Sequence, residues 1–120
     1  MQQLVVLQGQ QVTLRGMLKS SSASASAVQV VSGGSILDGG ASNVNVEVLN
    51  GGLVLDAVND ISFDLDVDQL VVASHGVGNI QLDAENSLTI NQLIFTEGDV
   101  DIDTHNGGDL TIAADIELDA

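Results

Sequence analysis

The chain has no cysteine, proline, tryptophan or tyrosine, and only two basic residues among 120. Without cysteine there is neither a disulfide framework nor a thiolate metal site. Two aromatics, Phe63 and Phe95, argue against the Trp- and Tyr-dependent cores of immunoglobulin-like sandwiches and the aromatic-lined pockets of most small-molecule enzymes. Arg15 and Lys19 stand against 17 acidic residues, for a formal charge of −15. Such a surface repels phosphate and releases no counterions from it, so no nucleic-acid partner is expected. Anionic membranes are disfavoured for the same reason. No apolar run approaches the roughly 18 residues of a spanning helix, so no membrane insertion is expected. A basic stretch leading into a short apolar run is also missing, and no signal peptide is expected within these residues.

What the chain does have is aliphatic. Hydrophobic residues make up 44% of it, nearly all Val, Leu, Ile and Ala. The length suffices for one domain and not for two. Charge divides the chain: residues 1–50 carry Arg15, Lys19, Asp38 and Glu47 and are neutral, and all the remaining acids fall in 51–120 with no base among them. In that second part a block of the form apolar–x–apolar–Asp–x–x–Asn occurs three times, at Leu53–Asn59, Ile80–Asn86 and Val100–Asn106. A second apolar pair follows each block (Ile61/Phe63, Leu88/Ile90, Leu110/Ile112), and then a third (Leu70/Val72, Leu93/Phe95, Ile116/Leu118). Extended backwards, the register aligns Val28/Val30 with Leu53/Leu55, Ile36 with Ile61 and Val46/Val48 with Leu70/Val72. It then aligns Leu4/Val6 with Val28/Val30 and Val12 with Ile36.

About five units of roughly 20–27 residues with three short strands each are the mark of a solenoid. The expected fold is all-β, a right-handed parallel β-helix forming a single domain over 1–120, read as part of a longer repeat array. One coil cannot bury its inward side chains alone, but stacked coils set Val on Val and Leu on Leu at about 4.8 Å. An antiparallel sandwich or barrel is the alternative, with Asp38-Gly39, Asn50-Gly51 and Asn106-Gly107 as hairpin turns. Hairpins, however, need no repeat that returns every third strand. The Ser/Ala-rich stretch 19–27 lacks large residues and is expected to be a loop, the place where proteolysis would concentrate.

The candidate chemistry is modest. Asn59, Asn86 and Asn106 end their blocks, where left-handed corners and a stacked amide ladder are expected. Asp56, Asp83 and Asp103 occupy matching block positions and would stack as three carboxylates, the candidate calcium ligands of this chain. Outward Asp64, Asp66 and Asp68, with Asp99 and Asp101, would add oxygen donors. The calcium-binding nonapeptide pattern is not matched, since Gly51–Asn59 lacks its third glycine. His75 and His105 fall in turns and are expected to be exposed. No Gly-x-Ser-x-Gly elbow or phosphate-binding loop occurs, so no catalytic residue and no cofactor other than calcium is expected.

The runs Gly78-Asn-Ile-Gln-Leu-Asp-Ala84 and Gly107-Gly-Asp-Leu-Thr-Ile112 resemble the repeat regions of large bacterial surface adhesins of the filamentous haemagglutinin type. That resemblance covers Leu53–Ala120 well and the first 50 residues loosely. It implies a right-handed β-helix exported by two-partner secretion. The implied protein is extracellular or held at the bacterial cell surface, a non-catalytic spacer or adhesive segment whose partners are host or surface glycans and proteins. Two other readings compete. One is a solenoid that polymerises end to end, as bactofilin-type cytoskeletal proteins do, suggested by a final Asp115–Ala120 rung without a polar cap. The other is a β-helix that binds or cleaves glycans with paired carboxylates, although aromatic platforms and basic residues are missing from the acidic part.

Overall fold

Alternation of apolar and polar residues sends successive side chains to opposite faces of a strand, and the chain uses that period throughout. The computed structural model describes residues 5–24, 26–39, 44–113 and 116–118. The strands are β1 (Val5–Gly9), β2 (Val12–Leu14), β3 (Leu18–Lys19), β4 (Val28–Ser32), β5 (Ile36–Asp38) and β6 (Val46–Ala57). They continue with β7 (Ile61–Ser74), β8 (Ile80–Ala84), β9 (Leu88–Phe95), β10 (Val100–Thr104), β11 (Leu110–Ile112) and β12 (Ile116–Leu118). Every pairing between them is parallel. The protein is a β-solenoid of about five turns, as the repeat predicts.

Three ladders run along the axis. The first stacks β1, β4 and the C-terminal halves of β6, β7 and β9, ending at β12. The second stacks β2, β5, the start of β7, β8 and β10, so that Val12, Ile36, Ile61, Ile80 and Val100 form one column. The third begins with β3, Val46–Val48 and Leu65–Val67, with Leu65 stacked on Ala84 and Ala84 on Thr104; Leu88–Ile90 runs beside Gln69 and Leu70 and carries β11. The long strands β6 and β7 pass from the third ladder to the first, and their alternation, like that of β9, changes phase along the way. In β7, Ile61, Phe63, Leu65 and Val67 point inward, then Leu70, Val72 and Ser74 do. Each phase change keeps the apolar side toward the axis after the bend, and register shifts mark the same places.

The observed register corrects the expected one. Leu53 stacks on Leu70, whereas Ile80 and Val100 stack on Ile61. Val46 and Val48 likewise sit on Leu65 and Val67, not on Leu70 and Val72. The three block motifs therefore lie on two different ladders. The cause is one short coil: Leu53 comes 25 residues after Val28 but only 17 before Leu70. A strand followed by a turn has the same local pattern on any face of the prism, so similar blocks need not be stacked blocks. At the start, Val5 and Leu7 pair with Val28 and Val30, leaving Val6 51% exposed, one residue out of the expected phase; Leu4 lies outside the described residues.

The core is aliphatic, with Leu53, Leu55, Ile61, Leu65, Leu70 and Leu82 fully buried and Phe63 and Phe95 nearly so. Each such side chain contributes about 1.5–3 kcal/mol of burial free energy. Polar ladders close the corners, but not where they were expected. Before the second ladder, Asp60 N–H donates to Ser35 Oγ (3.1 Å), Asn79 N–H to Asp60 Oδ1 (2.8 Å) and Asp99 N–H to Asn79 Oδ1 (2.9 Å). Asn106 alone of the three block asparagines has left-handed backbone, at φ 54°. The three do not stack: the side-chain amides of Asn59, Asn86 and Asn106 donate to Val77 O, Asp66 Oδ2 and Glu85 O.

The Ser/Ala stretch forms no strand between β3 and β4, yet it is tied down. Ser22, Ser24 and Ser26 N–H groups donate to the hydroxyl two residues earlier, and Gly52 N–H donates to Ser24 O at 2.9 Å. Ala25 lies outside the described residues. Asn45 is a further fastening. It is fully buried, its Nδ2 donates to Leu14 O (3.3 Å) and Asp38 Oδ1 (3.4 Å), and its Oδ1 accepts from Asp64 N–H (3.1 Å). Asn45→Ala strands these groups and is expected to cost about 2 kcal/mol in urea unfolding; a loss within error of zero would show that water replaces the amide.

Candidate functional site

Outward positions of the second ladder carry carboxylates at successive rungs. Asp64 pairs in register with Asp83, and Asp83 with Asp103, at the inter-strand repeat of about 4.8 Å. Asp56 is not part of this column. It lies on the first ladder opposite Ala73, so the expected Asp56–Asp83–Asp103 stack does not form and Asp64 takes the place of Asp56. The error follows directly from the short coil described above.

Asp64 shows the consequence of the stack. Partial burial, then repulsion from Asp83 and Asp38, raises its carboxyl above the ordinary value of 3.8. Asp66 is also raised, mainly by burial and further by Glu47 and Glu85, against a lowering hydrogen bond from Asn86. A carboxyl raised in the folded state binds its proton more tightly than in the unfolded chain. Its ionisation therefore destabilises the fold above the raised value, and that penalty disappears as pH falls through it toward 3.8. Asp64→Asn is accordingly expected to raise Tm at pH 7 by a few degrees. It should also flatten the rise in Tm between neutral pH and about pH 4. An unchanged Tm across that range would show that the column carries no strain.

Asp56 and, within the column, Asp83 each hold a histidine from the next coil. His75 Nε2 lies 2.8 Å from Asp56 Oδ1, and His105 Nε2 lies 3.6 Å from Asp83 Oδ1, all four side chains being about half exposed. The two pairs are built alike. In each, Asp precedes an Ala whose carbonyl accepts the histidine N–H at 2.9 Å, from His75 to Ala57 and from His105 to Ala84. Sequence reasoning found both histidines in turns but not their partners. The recurring Leu-Asp-Ala, followed one coil later by His, was the available signal.

No family model, curated protein or solved structure matches this chain. Its site is therefore read from its own geometry. Asp64, Asp83, Glu85 and His105 line one shallow hollow on the second ladder. A second hollow, between Lys19, Ser20, Ser21, Glu47, Leu49 and Asn50, lies beside the Lys19–Glu47 ion pair at 3.7 Å. Among the described residues, no three His, Asp or Glu side chains gather in a metal-holding arrangement. Asp83 and Asp103 remain neighbours, with Asp56 elsewhere. Chemically, the hollow offers the Asp64 carboxyl, raised above its ordinary value, beside the carboxyl of Asp83, with the His105 imidazole at its rim.

Proposed function

We propose that the chain is a non-catalytic structural segment of a bacterial extracellular or cell-surface protein, a β-solenoid rod that holds adhesive regions at a distance. The supporting observation is the continuous parallel ladder from β1 to β12, with aliphatic side chains inside and acids outside on the turns after the first. Parallel backbone hydrogen bonds along a common axis resist extension, and the outward charge discourages lateral clumping. The resemblance of residues 78–84 and 107–112 to adhesin repeats points the same way, with host or surface glycans and proteins as the partners of the regions it carries. An antibody against the chain is expected to label intact source cells; labelling only after permeabilisation overturns the surface role.

The Asp64–Asp83 pair favours one second reading, a glycan-binding or glycan-cleaving solenoid, because adjacent carboxyls, here with Asp64 raised by burial and by its neighbours, are the elements of acid–base glycoside cleavage. Incubation with neutral and acidic glycans separates the two. The structural role expects no release of new reducing ends; release that Asp83→Asn abolishes would establish the enzymatic one.

A further inference from the structure

In an Asn-Gly unit nothing on the second residue shields its backbone nitrogen from the side-chain carbon of the first, since glycine has no Cβ. The chain has two such units, Asn50-Gly51 and Asn106-Gly107, and the fold treats them oppositely. Asn50 and Gly51 lie inside β6, where Gly51 is buried. A Cβ built on Gly51 would overlap Ser22 O, and the next peptide is fixed by Gly52 N–H, which donates to Ser24 O at 2.9 Å. Asn106 and Gly107 are instead the central residues of a turn between β10 and β11. Across it His105 O accepts from Gly108 N–H at 2.9 Å, and both central residues have positive φ, 54° and 71°, the type I′ pattern. Such a turn uses the N–H of its fourth residue and leaves that of its third unused. Accordingly, Gly107 N–H donates to none of the described residues, both residues are exposed, and nothing lies within 4 Å of a Cβ built on Gly107.

We propose that Asn106 is a site of spontaneous deamidation in the folded protein, and that the sheet protects Asn50. The Gly107 nitrogen attacks Cγ of Asn106 and gives its proton to solvent. The Cγ–Nδ2 bond breaks, and Nδ2 takes a proton from water and leaves as ammonia, so that a five-membered succinimide remains. Water then adds to one of the two ring carbonyls. Breaking the bond from Gly107 N to Cγ leaves aspartate, and breaking the bond from Gly107 N to the main-chain carbon leaves isoaspartate. The position matters to the fold, because Asn106 Nδ2 donates to Glu85 O (2.8 Å) and Glu85 Oε1 (3.2 Å) and so ties this corner to the preceding coil. Either product replaces that donor with a carboxylate facing a carbonyl and a second carboxylate, and adds one negative charge to a chain already at −15. Isoaspartate also lengthens the main chain by one methylene inside the turn that the His105–Gly108 bond closes. The modified corner therefore holds β10 and β11 less firmly against β8 and β9. This chemistry needs only the chain and water and stands apart from the surface role.

The test is storage of the intact 120-residue chain in mildly alkaline buffer well below its melting temperature, with samples mapped by proteolysis and by fragmentation mass spectrometry that separates aspartate from isoaspartate. Asn106 is expected to convert to a mixture of both while Asn50 stays an amide. The same storage in denaturant should convert both residues at similar rates, because the sheet no longer guards Asn50. Gly107→Ala should slow the loss of the Asn106 amide severalfold, with circular dichroism confirming that the variant folds. Stored protein should melt below fresh protein, by an amount that follows the converted fraction. A persistent amide at Asn106, or an Asn50 that converts as fast in the folded chain, overturns the proposal without any variant. Aspartate without isoaspartate, or a rate untouched by Gly107→Ala, overturns the succinimide route. An Asn50 that resists in denaturant overturns protection by the sheet, and an unchanged Tm at full conversion overturns the role of the Glu85 contact.

Discussion

Leu82→Asp is expected to abolish the cooperative thermal transition of this protein, leaving a chain without strand signal in circular dichroism. Leu82 is fully buried at the middle of the second ladder, between Phe63 on the preceding coil and Ile102 on the following one. A carboxylate there has no partner and no water, and leaving an ion unpaired in an aliphatic stack exceeds the net stability of a small domain. Leu82→Ala is the graded companion, with an expected loss of about 2–5 kcal/mol from removed contacts and an unfilled cavity. Asp in place of the outward neighbour Gln81, which is exposed, is expected to change stability by less than about 1 kcal/mol. If Leu82→Asp folds like wild type, the inward and outward sides have been exchanged, because a slip of one residue turns every side chain over.

Gly98→Ala is the second large effect. Gly98 has φ +134°, a region that L side chains rarely enter, and a Cβ built there would overlap Gly78 O on the preceding coil. The obstacle is backbone, so no rotamer relieves it, and the corner that sets Asp99 on Asn79 must open. The combined strain and lost ladder bond are expected to cost about 3 kcal/mol or more, lowering Tm by roughly 10 °C or more. Gly107→Ala separates conformation from contact. Gly107 also has positive φ, at +71°, but nothing lies within 4 Å of its built Cβ, and a loss of only about 1 kcal/mol is expected. Equal losses at the two glycines would mean that the coils do not approach so closely at Gly98 in solution.

Much of the architecture was legible along the chain. Val28 with Leu53, Ile36 with Ile61, Ile80 with Val100 and Leu88 with Leu110 are all pairs read from spacing and found in register. Spacing failed elsewhere: it aligns Leu93 with Leu70, yet Leu93 lies on Val72; it aligns Leu88 with Ile61, which pairs with Ile80; and Val6 falls one residue out of phase. The 17-residue turn from Leu53 to Leu70 has no extra loop to announce it, and its strand β7 bends through a corner with no Gly or Pro at the bend. The candidate site inherited that failure. Asp83 and Asp103 were correctly set side by side, whereas Asp56 was put with them on the strength of its motif. The histidine partners were missed because Asp56 and His75 are distant in sequence and meet only through coil stacking.

Two-residue alternation and composition are properties of single strands and carry over to any coil. They were enough to establish a protein that is all-β, repetitive, aliphatic inside and acidic outside. Which strand lies on which was settled by the folded chain alone. Inter-coil register depends on the number of residues spent at each corner, and a parallel ladder holds equally well at any register that keeps apolar side chains inward. That choice moved Asp64 into the carboxylate column, placed His75 on Asp56 and His105 on Asp83, and left the only two cations on the coil farthest from most of the acids.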